Sequence, residues 1–540
     1  VPNTIFNELN KEFLTSNEQN FHYLLDKINY LHQQMPKGDF PKSKADFFNY
    51  EQSIQHFSID QEGKTSEETL NVVANYFQGS IRPQSPYALF NMTPSPLFDT
   101  VAAATIAQLY NVNGLMDDFG GYTLLMEQKV ARGIGRLAGF DQGYGISCNG
   151  GKLTLLYAIR AGIAKLSEQI KRSGNLKNIV VLTNESSHYC VEHVCSILGL
   201  GSDQCIRIPA KKDWQMDEQK LKKEIIQQTK QGKKIATIIC CGGTTINFAH
   251  DDTEQVYQIV ENTLNELNET YRPHLHLDSV IGWLWLAFSQ QQYTFSTIED
   301  VNERIQSIVK RQKGLHHFDS FGVDFHKNGL CPYSTSFFIT ASKETFNLLN
   351  DGLYKQSEKD FDYGNFRAYR YTIENSRAVT GIVSAFTSIE RLGIEGLQEY
   401  LIQLQELRYL LKNKLDQQKQ FKTINSYSLG WEVVFSIDFT NLKEITEATN
   451  DEIAQTFIMY CWNKCLNGEV FPLMSYVPAY RIHAQAKQEV AFLLYPINLE
   501  STTVVSQIVE KITQALSDFE QGVQTNSIQI EKRTIEKPIR

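Results

Sequence analysis

The sequence predicts an α/β fold: a mostly parallel central sheet with helices on both faces, followed by a smaller α+β domain. Three observations carry this. Short β-branched runs, NIVVLTN (178–184), KIATIICC (234–241), HLHLD (274–278) and FGVDF (321–325), recur through the middle of the chain. Between them lie helix-like stretches, SHYCVEHVCSILGL, MDEQKLKKEIIQQTKQG and TEQVYQIVENTLNEL. Strands alternating with helices pair in parallel, because each helix returns the chain across a face of the sheet. Beyond about residue 390 the pattern changes to a long helix-like run, GLQEYLIQLQELRYLLKNKLDQQKQ, then strand-like SLGWEVVFSIDF and EVAFLLYPI.

Taken in order, residues 1–98 form an N-terminal helical segment or arm. Its first 85 residues are polar, helix-biased and rich in Asn, Gln and Lys, and it closes on the proline-bearing loop SIRPQSPYALFNMTPSPLF (80–98). Such a segment has too little apolar sequence for a core of its own, and is expected to pack on the rest of the protein or on a second copy. Residues 99–390 form the large α/β domain. It opens with helical periodicity in TVAAATIAQLYNV, TLLMEQKVARGIGRLAGF and KLTLLYAIRAGIAKLSEQI. Residues 391–530 form the smaller domain, ending in the amphipathic TVVSQIVEKITQALSDFE. The charged tail EKRTIEKPIR (531–540) is expected to be disordered. There is no internal repeat.

The 540 residues suffice for two or three structural units around a large core. A net charge of −9, with both signs mixed along the chain and no basic stripe interleaved with aromatics, argues against nucleic acid as a partner. The apolar runs are too short to span a bilayer, so no membrane partner is expected. The start, VPNTIFNELNKEF, has no basic stretch leading into an apolar one, so a secretory signal is expected to be absent or already removed. Nine cysteines scattered through apolar stretches suit a reducing compartment, and the cytoplasm is the expected location. Cys461 and Cys465 are one helical turn apart but lack a second Cys/His pair. They read as core packing, and no metal site is expected.

Chemistry is concentrated at the ends of the expected strands. In FDSFGVDFHKNG (318–329) an apolar run ends in His326, Lys327 and a glycine two residues on. A lysine amine is a nucleophile only when part of it is unprotonated, a state favoured by desolvation at a buried strand end. Upstream, HLHLDSVIGW (274–283) ends another apolar run in Asp278. A Schiff-base lysine and a buried carboxylate are together what pyridoxal phosphate requires: the acid keeps the pyridine nitrogen protonated, and the protonated ring accepts electrons. Two further segments complete the set. In GYGISCNGGKLTLLYAIRAG (143–162), Asn149, Gly150 and Gly151 precede a helix, whose free N–H groups bind phosphate. In ESSHYCVEHV (185–194), His188 opens a helix after a strand, where its ring can stack on a planar cofactor or cap the helix. Thr244 and Thr245, Asp278 and Lys327 all follow expected strands, and in parallel sheets ligands bind outside the carboxyl ends. The string GIGRLAG (133–139) lacks dinucleotide-binding spacing and reads as close helix packing.

These segments resemble the pyridoxal phosphate-dependent group II amino-acid decarboxylases of fold type I. The likeness runs from about residue 85 to 400, through SCNGGKL, SSHYCVEHVCSILGLG, CCGGTTINF, HLD, DFHK, NGLCPYSTSFFIT and YTIENSRAVTGIVSAFTSIERLGIEG (371–396). It implies a seven-stranded-type central sheet and pyridoxal 5′-phosphate as cofactor. Lys327 is implied as the covalent carrier, Asp278 as the partner of the pyridine nitrogen, and His188 as the stacking ring. Asn149, Gly150, Gly151 and His326 are implied at the phosphate, and Thr245 near the cofactor. Where the family carries Asp-Ala-Ala-x-Gly-Gly, this chain has Asp278-Ser279-Val280-Ile281-Gly282-Trp283, which sets a bulkier Val280 against the ring face opposite His188. The phosphate turn carries Asn149 and Lys152 in place of Ser/Thr.

The implied activity is decarboxylation of an L-amino acid to an amine and carbon dioxide. A second reading is a carbon–carbon lyase of the sphingosine-phosphate lyase type, or other pyridoxal chemistry on the same scaffold. A third is a cofactor-free structural homologue, against which the intact Lys327, Asp278 and His188 argue. Arg370 and Arg377 are candidates for a substrate carboxylate clamp, with interdomain or surface ion pairing as the alternative. A homodimer is expected by analogy with the fold.

Overall fold

The structure is a computed structural model that describes residues 12–174, 176–289, 295–350, 352, 357–498 and 501–530. The tail at 531–540 lies outside the described residues. The chain divides into two compact units that cut across the consecutive segments expected from the sequence. One takes residues 92–438 and 476–497; the other takes described residues from 12–91, 439–475 and 498–530.

The larger unit is built on a seven-stranded sheet: β1 (Tyr144–Cys148), β2 (Ile179–Asn184), β3 (Cys205–Ile208), β4 (Lys234–Cys241), β5 (His274–Asp278), β6 (Ser320–Asp324) and β7 (Ser336–Thr340). Their spatial order is β1-β7-β6-β5-β4-β2-β3. The pairings from β3 across to β6 are parallel, whereas β7 runs antiparallel to both β6 and β1. The sheet is thus mixed, with one reversed strand. Every residue of β2, β6 and β7 is buried, as is all of β4 beyond Lys234. Strands covered on both faces must be apolar throughout, which is why they read as continuous runs rather than alternating ones.

Helix Gly151–Leu166 crosses this sheet at very short range. A side chain at Gly162 would overlap Thr237 and Ala236 of β4, and a Cβ at Gly322 of β6 would lie 2.5 Å from Thr154 Oγ1. The two glycines let helix and sheet touch, and that contact fixes the helix N-terminus near the ends of β5 and β6. Helix Thr123–Leu137 buries Leu124, Glu127, Val130, Ala131 and Ile134, so an acid sits on its apolar face. Gly135 packs against Gly143 in the turn before β1, whereas Gly133 has nothing within 4 Å of where a side chain would stand. The long segment Thr380–Asp416 is broken at Gly393 (φ 60°, ψ −170°), a conformation open to glycine and costly for other residues.

A four-stranded sheet, order β10-β11-β9-β8, also belongs almost wholly to the larger unit: β8 (Phe421–Thr423), β9 (Val433–Ile437), β10 (Ser475–Arg481) and β11 (Gln488–Leu494). In the smaller unit, helices Phe21–Gln34, Tyr50–Ile54 and Ser66–Asn75 have no buried residue. Its core comes from helices Asn450–Leu466 and Thr502–Gln524, where Phe457 and Phe519 meet edge to face at 5.3 Å. Cys461 and Cys465 lie on that buried face. No helix among the described residues is long and apolar enough to cross a membrane.

Candidate active site

Four parallel strands end side by side, and the candidate residues follow from their ends. Cys241 of β4 pairs with Asp278 of β5, which pairs in turn with Gly322 of β6. Asp324 is the last residue of β6, and the chain then makes a single helical turn, Phe325–Asn328. That turn brings Lys327 back over the strand it has left. Its Nζ lies 2.9 Å from Oδ2 of Asp324, which is itself 2% exposed. The amine is therefore held against the floor of the site, with its side chain 23% exposed. The other oxygen, Asp324 Oδ1, accepts a hydrogen bond of 2.5 Å from the Ser336 hydroxyl on β7.

His326 is buried beside this pair, its Nε2 3.6 Å from Asp324 Oδ2 and its Nδ1 within 3.2 Å of the Thr335 backbone. Burial, aided by the Lys327 charge and opposed by Asp324, lowers its pKa, so the imidazole is neutral at pH 7. The ring of Tyr333 packs on it at 4.4 Å between centroids.

Asp278 contrasts with Asp324. Its Oδ1 is buried and has no hydrogen-bond partner among the described residues. Burial pushes its carboxyl up to about 6, with Lys327 drawing it down and Asp324 raising it further. A buried carboxylate oxygen left unpaired is costly. A protonated ring nitrogen is a partner that would remove the cost, so this residue fits the pyridine end of pyridoxal phosphate.

The phosphate end fits as well. Gly150 has φ of +101° and nothing within 4 Å of where a side chain would stand. At Gly151 a Cβ would be 2.9 Å from Val280 Cγ1 and 3.2 and 3.4 Å from the Asp324 oxygens, so only glycine lets the helix start so close to both. The first N–H groups of this 16-residue helix thus open next to the Lys327 turn. Asn149 Oδ1 accepts from the Ser334 hydroxyl at 3.3 Å, linking the turn after β1 to the loop after Lys327. Lys152 is engaged by His193 Nδ1 at 3.2 Å.

His188 stands two residues before helix Cys190–Ile197 and does not begin it, a correction to the sequence expectation. Its Nδ1 accepts the Cys190 N–H at 3.2 Å, which leaves the neutral ring's proton on Nε2, and its exposed ring lies against Tyr189 at 4.5 Å. Burial raises the pKa of the Cys190 thiol, which also feels the charges of Asp278 and Lys327. Thr245 lies in the loop after β4, where its carbonyl accepts the Tyr495 hydroxyl; the neighbouring Thr244 Oγ1 accepts from the Ala249 N–H at 2.9 Å.

The two arginines divide. Arg377 makes a bidentate pair with Glu127 at 2.6 and 2.8 Å, and donates further to the carbonyls of Gly114 and Ser147. Its donors are committed inside the protein, and it is not free to clamp a substrate carboxylate. Arg370 ends the short turn Ala368–Arg370 and is half-buried.

Sequence reasoning overlooked three residues. Asp324 was legible as an acid closing an apolar strand three residues before a lysine. Glu127 was legible as a charge in phase with Leu124, Val130 and Ile134. Ser336, whose strand β7 was not expected, carried no signal.

Residues 84–438 match the family model for the pyridoxal-dependent decarboxylase conserved domain, about two thirds of the chain, and the chain belongs to that family. Glutamate decarboxylase of Drosophila melanogaster is 25% identical over 186 residues, covering 34% of this chain and 35% of that protein. L-2,4-diaminobutyrate decarboxylase of Acinetobacter baumannii is 21% identical over 360 residues, covering 63% and 65%. The chain therefore spans about a third to two thirds of the length of these curated relatives. Mouse CSAD superposes with a TM-score of 0.74 at 16% identity, over 91% of this chain and 97% of that one, a likeness of fold. These matches do not favour the carbon–carbon lyase reading.

Proposed function

We infer that this protein decarboxylates an L-amino acid to an amine and carbon dioxide, using pyridoxal 5′-phosphate. The observation that carries the inference is the strand-end cluster: Lys327 is held by Asp324 while the buried Asp278 Oδ1 has no partner among the described residues. When bound, the cofactor supplies an electron sink for the pair left behind as the carboxylate departs.

Each residue has a defined task. Lys327 would carry the cofactor and yield it to the substrate amine. Asp278 would hold a proton on the ring nitrogen. His188 would lie on one ring face and Val280 on the other. Asn149, the N–H groups from Gly150 and Gly151, and the neutral His326 would hold the phosphate, with Thr245 bordering the ring. Arg370 is the remaining candidate for the substrate carboxylate. We further assign the protein to the cytoplasm and to a homodimer, the latter by analogy with the fold.

The test offers a panel of L-amino acids, beginning with glutamate and 2,4-diaminobutyrate, to wild type and Lys327→Ala, and follows carbon dioxide and amine together. Equimolar release by wild type alone is expected. Activity in Lys327→Ala, or aldehyde formed without carbon dioxide, would overturn the reading.

A further inference from the structure

The lysine needs a partner that the functional reading does not supply. An amine that bonds to an aldehyde carbon must first shed a proton, and at a site lined by buried strand ends that proton needs a stated acceptor. Asp278 is engaged by its role toward the ring nitrogen. His326 lies 3.6 Å from Asp324 Oδ2 and is tied to the Thr335 backbone. Asp324 alone among the described acids is in contact with the lysine nitrogen, at 2.9 Å.

We propose that Asp324 is a further catalytic residue of this site, the base and then the acid for the attachment of Lys327 to the cofactor aldehyde. This rests on the functional reading above. Asp324 takes one proton from the Lys327 ammonium, and the freed lone pair forms the C–N bond. A second nitrogen proton passes to the former carbonyl oxygen. Asp324 returns its proton to that hydroxyl as the C–O bond breaks, and water leaves. The lysine nitrogen ends with one proton and a positive charge, again facing the carboxylate.

Two features fit Asp324 for this. It closes β6 and is fixed by the Ser336 hydroxyl through Oδ1, which leaves Oδ2 for the lysine. Ser336 is accordingly a positioning residue. Gly151 also keeps any side chain out of the gap between the helix start and the carboxylate, whose oxygens lie 3.2 and 3.4 Å from where its Cβ would stand. The charged and titratable groups facing Asp324 are Lys327 and His326 from the following turn, Asp278 from β5 and Cys148 from β1.

The experiment uses the full chain stripped of cofactor and follows, by absorbance, its capture of pyridoxal phosphate and separately of pyridoxal, which lacks the phosphate. In Asp324→Asn and Asp324→Ala, capture of both aldehydes is expected to slow about a hundredfold at neutral pH, the lower end for loss of general acid–base catalysis. Capture should also rise more steeply with pH than in wild type, because hydroxide must replace the carboxylate. Added formate should restore part of the rate in Asp324→Ala, which a merely structural role would not allow. Unchanged capture of both aldehydes would overturn the proposal. Faster capture of pyridoxal phosphate alone would too, because Asp324 would then act only as a charge against the phosphate. If both Asp324 variants fail to fold, Ser336→Ala carries the test, and capture as fast as wild type overturns it. Failure of wild type to capture either aldehyde would instead sink the functional reading itself.

Discussion

Two buried clusters of charge lie in the larger unit, and they are assembled by opposite rules. At the edge of β1, Glu127 and Arg377 are 0% and 5% exposed and match donor to acceptor: two parallel N–H···O bonds, with the Ser147 N–H at 2.7 Å on the remaining lone pairs. At the ends of β5 and β6, two carboxylates face one lysine, and one carboxylate oxygen has no partner among the described residues. The first cluster is complete as it stands. The second carries one acid more than it has cations, which is a poor arrangement for stability and a good one for receiving a protonated nitrogen. Saturated pairing suits a structural cluster, and the unsaturated one fits the site proposed above.

The comparison breaks most readily at Arg377. Arg377→Ala leaves Glu127 buried and unpaired, and a loss of about 3–5 kcal/mol is expected in the unfolding free energy from denaturant titration. Glu127→Ala should cost a similar amount. A loss below about 1 kcal/mol, the range of exposed pairs, would mean that the saturated cluster contributes no more than a surface ion pair.

Asp278 should behave in the opposite sense. Its carboxyl is raised from an ordinary 3.8 to about 6 by burial, so ionising it works against the fold. Below about pH 3.8 the group is protonated whether the chain is folded or unfolded and contributes nothing. As pH rises toward 6 the unfolded chain releases the proton first, and stability falls; above 6 the penalty is constant. Asp278→Asn in the cofactor-free protein should therefore match wild type at pH 3.5. At pH 7 it should gain up to about 3 kcal/mol, measured as the difference between the two unfolding titrations. A variant less stable than wild type at pH 7 would show that Asp278 has a structural partner and would remove the contrast between the clusters.

This contrast also explains what could be read from the sequence. β2, β4, β5 and β6 were legible because a parallel strand covered on both faces must be apolar along its length, and runs such as IVVL and ATII have no other economical reading. β1 was not, since Tyr144–Cys148 carries a glycine and a serine and leads into the phosphate turn that dominated its reading. β3 has four residues at the sheet edge and only one fully buried. β7 was hidden because SFFIT followed the lysine motif closely enough to be taken with it. Within the site, Lys327 and Asp278 were legible because a charge ending an apolar run signals a strand terminus. For Arg377 the choice between a substrate clamp and an ion pair was open in the sequence for a different reason. Its partner, Glu127, is 250 residues away, and pairing at that separation is a product of the fold and not of local sequence.

The smallest expected effect concerns the close approach that brings the cluster to the helix. Gly151 has no positive φ, so Gly151→Ala tests contact alone: its methyl would meet Val280 Cγ1 at 2.9 Å and the Asp324 oxygens beyond 3.0 Å. Overpacking of this kind costs about 1–3 kcal/mol. Val280→Ala removes the nearer obstacle, at the cost of a small cavity. If the Val280 contact dominates, the double variant should recover about 1 kcal/mol relative to the sum of the two single losses, as expected for residues in contact. If the losses are additive, the obstacle is Asp324, whose position is fixed by Ser336 and Lys327. The same cycle, read by capture of pyridoxal phosphate instead of unfolding, separates a helix displaced from the phosphate from a ring pressed by Val280. Gly151→Ala should slow capture whichever residue yields, while Val280→Ala alone should change capture if Val280 presses on the ring face and leave it unchanged if Val280 only confines the helix.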